Sequence, residues 1–173
     1  MILFIILRIL SLTLSRLHRN IGIAIRFVGK MVGGFSFLEH IGDVYVEAYG
    51  ESFEEAFSQA ALALYNTISS TDNVECRIEK EVKVEGEDLE ALLVEWLQYL
   101  IALFDIEGFI AKIVEVKSIE KINNYYSLSA RLCGEEFNPK HHRVGVHVKA
   151  ATYWRMEILR RDSRVILRFL LDI

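Results

Sequence analysis

Proline and cysteine are both scarce in this sequence. Its single proline is Pro139, and its two cysteines, Cys76 and Cys133, lie far apart with no CxxC pair. Closely spaced cysteines in even number are typical of disulfide scaffolds, and paired CxxC motifs are typical of zinc sites. The cysteine content therefore indicates neither kind of site, and a reducing cytoplasm is the compartment that it fits best.

Acidic residues are absent before Glu39, whereas five basic residues lie within residues 1–30. All 24 acidic residues, but only 15 of the 20 basic residues, belong to residues 31–173. The chain thus combines a basic leader with an acidic body. Binding to nucleic-acid phosphates depends on clustered Lys and Arg, so the body argues against direct contact with nucleic acid.

The leader contains no long uninterrupted apolar run. Three arginines divide it into segments shorter than the roughly 20 residues that span a bilayer, so we expect no transmembrane helix. Its apolar residues precede its charges, which is the reverse of a signal peptide, although an organelle transit peptide has similar composition. Because the composition changes abruptly at Met31, we favour an over-extended start: a leader at 1–30 and one domain at 31–173.

Two segments carry apolar residues at helical spacing. The first begins at Ser52, has Glu55 three residues later as in a capping box, and continues to Ile68. The second covers residues 87–105, with acidic residues in its first turn and Gly108 beyond its end. We interpret both apolar stripes as faces packed in the core, in preference to a groove for a partner.

Other segments alternate apolar and polar residues with a period of two, which is typical of strands with one buried face. Residues 74–84 follow this pattern, as do "YSLSARLC", "RVGVHVKA" and "RVILRFLLDI". Strands and helices do not alternate regularly. The predicted fold class is therefore α+β, with two amphipathic helices packed on a largely antiparallel sheet.

Common catalytic motifs are missing: the sequence contains no GxxxxGK[ST], GxSxG, HExxH or GxGxxG. Nothing in these patterns indicates an enzyme. His141, His142 and His147 are a candidate metal cluster, since imidazoles bind transition metals. Their spacing does not fit one strand face, and we favour a solvated loop.

Carboxylates occur at two places where a segment of regular structure ends. Asp43 belongs to a tight Ile-Gly-Asp turn after His40, and Asp172 lies beside the terminal carboxylate of Ile173. Such oxygens are the ligands that calcium, magnesium and manganese prefer. From the residues alone, a turn aspartate and a hydrated chain end remain the alternative.

Four segments, "FLEHIGDVYVEAYG", "GEDLEALLVEWLQYLIALFD", "KAATYWRMEI" and the closing "LDI", resemble the archease family in their order and spacing. The resemblance covers Phe35 to Ile173. It implies a small α+β domain with no catalysis of its own. Members of that family serve as protein cofactors of the guanylylating tRNA-splicing RNA ligase, promoting transfer of GMP to the ligase and its repeated turnover.

The resemblance also implies a site. The family's metal-binding aspartate of the E-H-T-x-D element falls on Asp43 and its terminal aspartate on Asp172, with Ile173 adding an oxygen. The expected cofactor is a divalent cation, either calcium or manganese or magnesium. His40 is expected to brace the turn, and Lys149 to lie near the carboxylates.

Two residues depart from the family's pattern. Ile41 replaces a threonine in the turn, and Trp154 stands where many members have a histidine. The implied partner is the tRNA-splicing ligase, without direct nucleic-acid or membrane binding, and neither the ion nor the oligomeric state follows from the sequence. The alternatives are a general chaperone or modulator of RNA-modifying enzymes, and a metal-dependent hydrolase using Asp43 and Asp172.

Overall fold

The structure, a computed structural model, describes residues 33–40 and 42–173. The leader predicted at residues 1–30 lies outside this part of the chain, and its role stays a prediction. The described elements are, in chain order, β1 (Gly34–Leu38), β2 (Val44–Gly50), α1 (Phe53–Ile68), β3 (Ile78–Gly86), α2 (Leu89–Glu107), β4 (Phe109–Ile122), β5 (Tyr125–Glu136), β6 (Ala150–Arg161) and β7 (Arg164–Asp172).

The strands form two sheets. In the first sheet the order is β1-β2-β7-β6, and in the second it is β3-β5-β4. Every neighbouring pair is antiparallel. The predicted α+β class, with two helices packed on antiparallel strands, is confirmed, but the strands are divided between two sheets where the sequence pattern suggested one.

Helix α1 begins at a side-chain cap. The backbone N–H of Glu55 donates to Ser52 Oγ at 3.2 Å, which satisfies one of the free donors at the helix start. The Glu55 carboxylate accepts from the N–H of Glu51 at 2.6 Å and of Gly33 at 2.8 Å. The Ser52 half of the predicted capping box is confirmed, whereas Glu55 reaches past Ser52 and fastens the chain before β1 to the helix.

Helix α2 is capped at both ends. At its start, Asp88 Oδ1 accepts from the N–H of Ala91 at 2.7 Å. At its end, Gly108 adopts a φ of 65°, and its N–H donates to the carbonyl of Phe104 at 2.8 Å. A side chain is strained at this left-handed φ, so glycine terminates the helix as the sequence predicted.

The two helices pack against each other and against both sheets. Helix α1 contacts β2 and β4, and α2 contacts β3 and β6. Trp96 is fully buried between the helices, and its Nε1 donates to the carbonyl of Phe57 at 3.1 Å. Ser58 Oγ accepts from the N–H of Val116 at 3.0 Å and thereby ties α1 to β4. The apolar stripes of both helices form the core, which confirms their predicted role.

The prediction of a strand at "RVGVHVKA" is wrong. Only Val144 makes an isolated bridge, to Ser69, and regular pairing starts at Ala150. The N–H groups of Gly145 and Val146 instead donate to the last carbonyls of α1, each at 2.9 Å. The segment crosses the end of a helix, where free carbonyls satisfy its donors without a strand partner.

The cysteine spacing did not indicate a disulfide, yet the structure contains one. Cys76 and Cys133 form a disulfide, with their Cα atoms 5.0 Å apart. The reason is tertiary: strand β3 starts only at Ile78, but the residues before it continue beside β5, where the N–H of Arg77 donates to the carbonyl of Gly134 at 2.9 Å. Two cysteines that are distant in sequence are therefore neighbours across the sheet.

No helix within the described ranges is both long and apolar enough to cross a lipid bilayer.

Tyr65 is a fully buried residue whose hydroxyl has no hydrogen-bond partner within the described chain. Burial raises the pKa of this hydroxyl far above its ordinary value, with a smaller contribution from Tyr99. A buried hydroxyl without a partner costs about 1–3 kcal/mol. We expect Tyr65→Phe to raise the free energy of unfolding by about 1 kcal/mol, measured by urea denaturation.

Tyr45→Phe is the matched control for this change. The Tyr45 hydroxyl donates to the carbonyl of Arg155 at 3.4 Å, so its removal deletes a contact and should not stabilise the protein. A Tyr65→Phe protein less stable than the parent would show that this hydroxyl has a favourable partner.

Candidate metal centre at one end of the first sheet

The turn between β1 and β2 carries the first candidate carboxylate. Gly42 adopts a φ of 95°, a conformation that side chains rarely take, and Asp43 follows it directly before β2. Asp43 is half-buried. Glycine thus permits the sharp turn, and the start of β2 fixes where the aspartate lies.

The register of the first sheet brings the second carboxylate to the same place. Strand β2 pairs with β7 so that Val44 lies opposite Leu171 and Tyr45 opposite Leu170. The same register, continued by one residue, sets Asp43 opposite Asp172. Side chains directly opposite in an antiparallel pair have Cβ atoms about 4.5–5.5 Å apart. Both predicted aspartates therefore lie at the same end of the sheet, Asp43 just before β2 and Asp172 at the end of β7.

Lys149 approaches the same end from the other neighbour of β7. Its backbone N–H donates to the Asp172 carbonyl at 2.8 Å, which extends the β6–β7 pairing. Its Nζ donates to an oxygen of Ile173 at 2.7 Å and lies 3.8 Å from Asp172 Oδ1. The structure thus brings Lys149, Asp172 and Ile173 into contact, with Asp43 at the same sheet end, and their common site stays a prediction.

The donor set is small and consists of oxygens. Among the described residues, no group of three or more His, Cys, Asp and Glu side chains is arranged to hold a metal. Asp43, Asp172 and an Ile173 oxygen fit a hard cation that keeps several water ligands, as magnesium, manganese and weakly held calcium do. Lys149 supplies positive charge beside these oxygens in the structure. A bound ion would share the oxygens with Lys149.

His40 lies in a cluster of aromatic and cationic side chains beside this end. Its ring centroid is 5.4 Å from that of Trp154 and 6.2 Å from that of Tyr45. The Arg155 guanidinium lies over both Tyr45 and Trp154, at 5.2 and 5.5 Å. His40 Nδ1 is buried and has no partner within the described residues. We call these four residues the aromatic cluster.

An irregular part of β6 forms half of the aromatic cluster. The β6–β7 register shifts between Thr152 and Glu157, so several residues of β6 bulge out of the ladder. Arg155 in this bulge has a φ of 55°, which is uncommon for a residue with a side chain. Trp154 beside it is 59% exposed. Strained backbone that presents an exposed aromatic is characteristic of functional surfaces.

The aromatic cluster and the carboxylates are near neighbours. Tyr45 and Leu170 lie opposite each other, two residues along their strands from Asp43 and Asp172. The two pairs therefore lie on the same face of the sheet. Two residues along a strand correspond to about 7 Å. Sequence reasoning noted Trp154 as a departure and missed Tyr45 and Arg155; the only local signal was the lost alternation within "TYWRM".

The next row on this face is held by an ion-pair network. Arg168 donates from Nε to Glu47 and from Nη1 to Glu157, both at 2.8 Å. These hydrogen bonds, to Glu47 first and then Glu157, raise the pKa of the Arg168 guanidinium. The network fastens β2, β7 and β6 together and so fixes the strands that carry the carboxylates.

The three histidines considered as a metal cluster lie in different surroundings. His142 is buried, accepts from the N–H of Asn138 at 2.9 Å, and is 3.2 Å from Glu135. His147 is exposed and lies 3.3 Å from Asp105. A metal cluster of these residues is not formed in the described chain, and His142 is part of the packed structure, unlike the solvated residue expected.

Comparisons with known proteins agree with this architecture. The Archease protein family matches residues 35–173. The chain is 42% identical over 136 residues to the protein archease of Pyrococcus abyssi, which covers 78% of this chain and 95% of that relative. The solution structure of Methanobacterium thermoautotrophicum protein 1598 has a TM-score of 0.69 and 34% identity, covering 81% of this chain and 99% of that one.

A crystal structure from Thermotoga maritima, described as an archease and possible chaperone, has a TM-score of 0.50 and covers 79% of this chain and 94% of that one. Its identity is 20%, so it bears on the fold alone. The fold is an α+β domain, and the family match covers nearly all of the described residues. Fold and sequence together define the class of protein. The chain belongs to the archease family.

A divalent cation should stabilise this protein through Asp43. If the carboxylates bind the ion only in the folded chain, calcium or manganese at about 100 times its Kd adds about 2.7 kcal/mol. That corresponds to a rise in Tm of about 5–10 °C for a domain of this size. Asp43→Asn should abolish the rise and leave the metal-free Tm equal or higher, since like charges are then fewer.

Asp162→Asn is the control for the same loss of charge. Asp162 lies in the β6–β7 turn, at the opposite end of β7, with a φ of 54° that asparagine tolerates. This variant should keep the full cation response in differential scanning calorimetry. Equal responses of the Asp43 and Asp162 variants would remove Asp43 from the site.

Proposed function

We propose that this protein is a cation-dependent, non-catalytic activator of the guanylylating tRNA-splicing RNA ligase. The observation that supports the proposal is the contact of Lys149 with Asp172 and Ile173 at the sheet end where Asp43 precedes β2, in a chain that belongs to the archease family. The names of the relatives give the family and no partner. The ligase comes from the family resemblance of the sequence.

The site would act on phosphate groups through two kinds of positive charge. Asp43, Asp172 and Ile173 would hold the ion, which when bound supplies a Lewis acid that neutralises phosphate oxygens. Lys149 has rotatable N–H donors and lies at the same end, so it can hydrogen-bond a phosphate oxygen directly. Because Asp172 ends β7 and Asp43 directly precedes β2, the paired strands hold both carboxylates in place before a partner arrives.

The aromatic cluster supplies the surface for docking to the ligase. Trp154 and Arg155 are exposed, and Trp, Tyr and Arg are the residues that dominate binding energy at protein interfaces. The bulge projects them beside the carboxylates, so that binding of the partner and presentation of the ion occur on one face. The acidic body, residues 31–173, would steer the protein toward a basic groove that binds RNA.

In this proposal the protein assists the ligase and performs no reaction of its own. It acts in the cytoplasm, where the ligase and its RNA are found, and it does not itself bind nucleic acid or a membrane. The ligase forms and transfers the guanylyl group. The role of this chain is to position positive charge next to the nucleotide phosphates.

A chaperone role is the second candidate, favoured by the description of the Thermotoga maritima structure as a possible chaperone. Exposed apolar side chains, such as Ile106 and Val144, offer contacts for a non-native partner. A chaperone of this kind would depend on apolar surface and not on single carboxylates. The two candidates therefore differ in their response to Asp172 and Lys149 variants.

Single-turnover transfer of GMP to the purified ligase tests the activator proposal. Asp172→Asn should reduce the stimulation about tenfold or more, by weakening the ion's site. Lys149→Met should reduce it about tenfold by removing a charged donor. Asp162→Asn, at the other end of β7, should stimulate like the parent. Full stimulation by the Asp172 and Lys149 variants would favour the chaperone role.

Binding of the ligase tests the docking surface separately. Trp154→Ala should weaken the Kd for the ligase about 30-fold, because an exposed tryptophan at an interface centre contributes about 2 kcal/mol. The cation-induced rise in Tm should persist in this variant, which leaves the carboxylates in place. Tyr99→Ala, another exposed aromatic but on α2, should bind like the parent in isothermal titration calorimetry.

A further inference from the structure

A cleft of about 840 Å³ lies outside the candidate metal centre, at the end of the second sheet. The segment before β3 forms one wall, and the loop after β5 forms the opposite wall. Its lining is mostly polar and charged: Asp72, Asn73, Val74, Glu75, Arg77, Ile78, Lys112, Glu135, Glu136, Asn138, His141 and His142. Nothing in the proposed function uses this region.

The first wall, residues 75–77, is attached to the end of β5 by polar contacts. The N–H of Arg77 donates to the Gly134 carbonyl at 2.9 Å, and the N–H of Glu75 donates to Glu135 Oε1 at 2.7 Å. Arg77 Nε also lies 3.4 Å from Glu135 Oε2. We call residues 75–77 the cleft wall.

The opposite wall is attached to the same glutamate. The N–H of Asn138 donates to His142 Nδ1, so the ring proton is on Nε2 and points to Glu135 at 3.2 Å. The N–H of Glu75, then the side chain of His142 and the charge of Arg77, hold the pKa of Glu135 below its ordinary value. One carboxylate therefore links both sides of the cleft.

The disulfide is the only covalent attachment of the cleft wall among the described residues other than the chain itself. Cys76 is the central residue of the wall and is exposed, whereas Cys133 is 4% exposed within β5. We therefore expect an attacking thiol to approach the bond from the side of Cys76. Accessibility thus makes the two ends of the bond chemically different.

We propose that the Cys76–Cys133 bond is a thiol–disulfide exchange site whose reduction by a dithiol releases the cleft wall from β5. The reductant is of the class represented by dithiothreitol or a protein with two neighbouring thiols. The site is independent of the metal centre and of the ligase. The oxidation state of the Cys76–Cys133 bond determines whether the cleft wall is fixed to β5.

The exchange proceeds in two balanced steps. A thiolate of the dithiol attacks Cys76 Sγ, the Cys76–Cys133 bond breaks, and Cys133 leaves as a thiolate that takes up a proton. The second thiolate of the reductant then attacks the reductant's other sulfur, which is bonded to Cys76 in the mixed disulfide. Cys76 leaves as a thiolate and is protonated. Two electrons and two protons pass to the protein, and the dithiol becomes a cyclic disulfide.

After reduction, residues 75–77 are held by polar contacts to Gly134 and Glu135 and by their flanking residues, Val74 in the core and Ile78 in β3. Arg77 and Glu75 are well exposed, and ion pairs at exposed positions contribute little to stability. The wall then opens locally at much lower cost than the sheet behind it. Glu135 then loses the N–H of Glu75 and the charge of Arg77, which position its carboxylate, so its contact with His142 on the opposite side of the cleft loosens as well.

The experiment uses the full chain purified without reductant. Thiol titration under denaturing conditions should find no free thiol before dithiothreitol and two after it. Reduction should lower the Tm by about 10 °C, as expected for opening a long disulfide-closed loop. Amide hydrogen exchange should accelerate at least about tenfold in residues 74–78 and 138–142, and remain unchanged in β2 and β7.

Cys76→Ser is the matched variant, because it removes the bond at its exposed end and leaves the buried Cys133 in place. It should exchange rapidly in residues 74–78 with or without dithiothreitol, and its Tm should not respond to the reductant. If this variant fails to fold, the titration and exchange of the parent chain still decide.

Two results would overturn the proposal. One is a parent chain with two free thiols after incubation with oxidised dithiothreitol, which would mean that the bond does not form. The other is reduction that leaves exchange in residues 74–78 unchanged, which would mean that the remaining contacts fix the wall without the bond. Neither result bears on ligase stimulation, so the proposed function stands or falls separately.

Discussion

The antiparallel register of β7 between β2 and β6 is the constraint on which the candidate site depends. Val165, Leu167, Phe169 and Leu171 are all buried, so one face of β7 belongs to the core. Alternation along the strand then assigns Asp172 to the other face. A slip of one residue would bury the carboxylate and expose the leucines, which is energetically prohibitive. Packing of apolar residues thus determines where the charged site lies.

The same face shows how a regular sheet can carry an irregular surface. Pairing is regular where β7 meets Ala150 and again from Glu157, and the extra residues of β6 are confined between these points. The ladder on either side holds the bulge in place, so Trp154 is exposed on a rigid base. An exposed aromatic on a rigid base loses little conformational entropy when a partner covers it.

Local patterns predicted the helices well because their determinants are local. Apolar spacing, Ser52 at one start and Gly108 at one end all lie within a few residues of the structure that they specify. The α+β class followed from periodicity, whereas a common site for Asp43 and Asp172 was implied by the family resemblance and stays a prediction. The division into two sheets did not, since strand partners are chosen by tertiary packing.

The features that sequence reasoning missed are contacts between distant segments. The disulfide joins residues 57 positions apart, and the segment around Gly145 bonds to the end of α1 where a strand was expected. The aromatic cluster combines His40, which follows β1, with Arg155 of β6. Neither periodicity nor spacing encodes which segment lies beside which, so the lost alternation within "TYWRM" marked an irregular strand without indicating its partners.

The strand order has a further consequence for how the chain folds. In the second sheet, β4 and β5 are consecutive and pair as a hairpin, whereas β3 pairs with β5 across α2 and β4. The central pair of the first sheet joins residues such as Glu47 and Arg168, which are 121 positions apart. Closing so long a loop is slow, and β2 must keep one edge open until β7 arrives. During that interval the open edge of β2 is the place where a second chain can pair, so rapid completion of β7 protects the folding protein from aggregation.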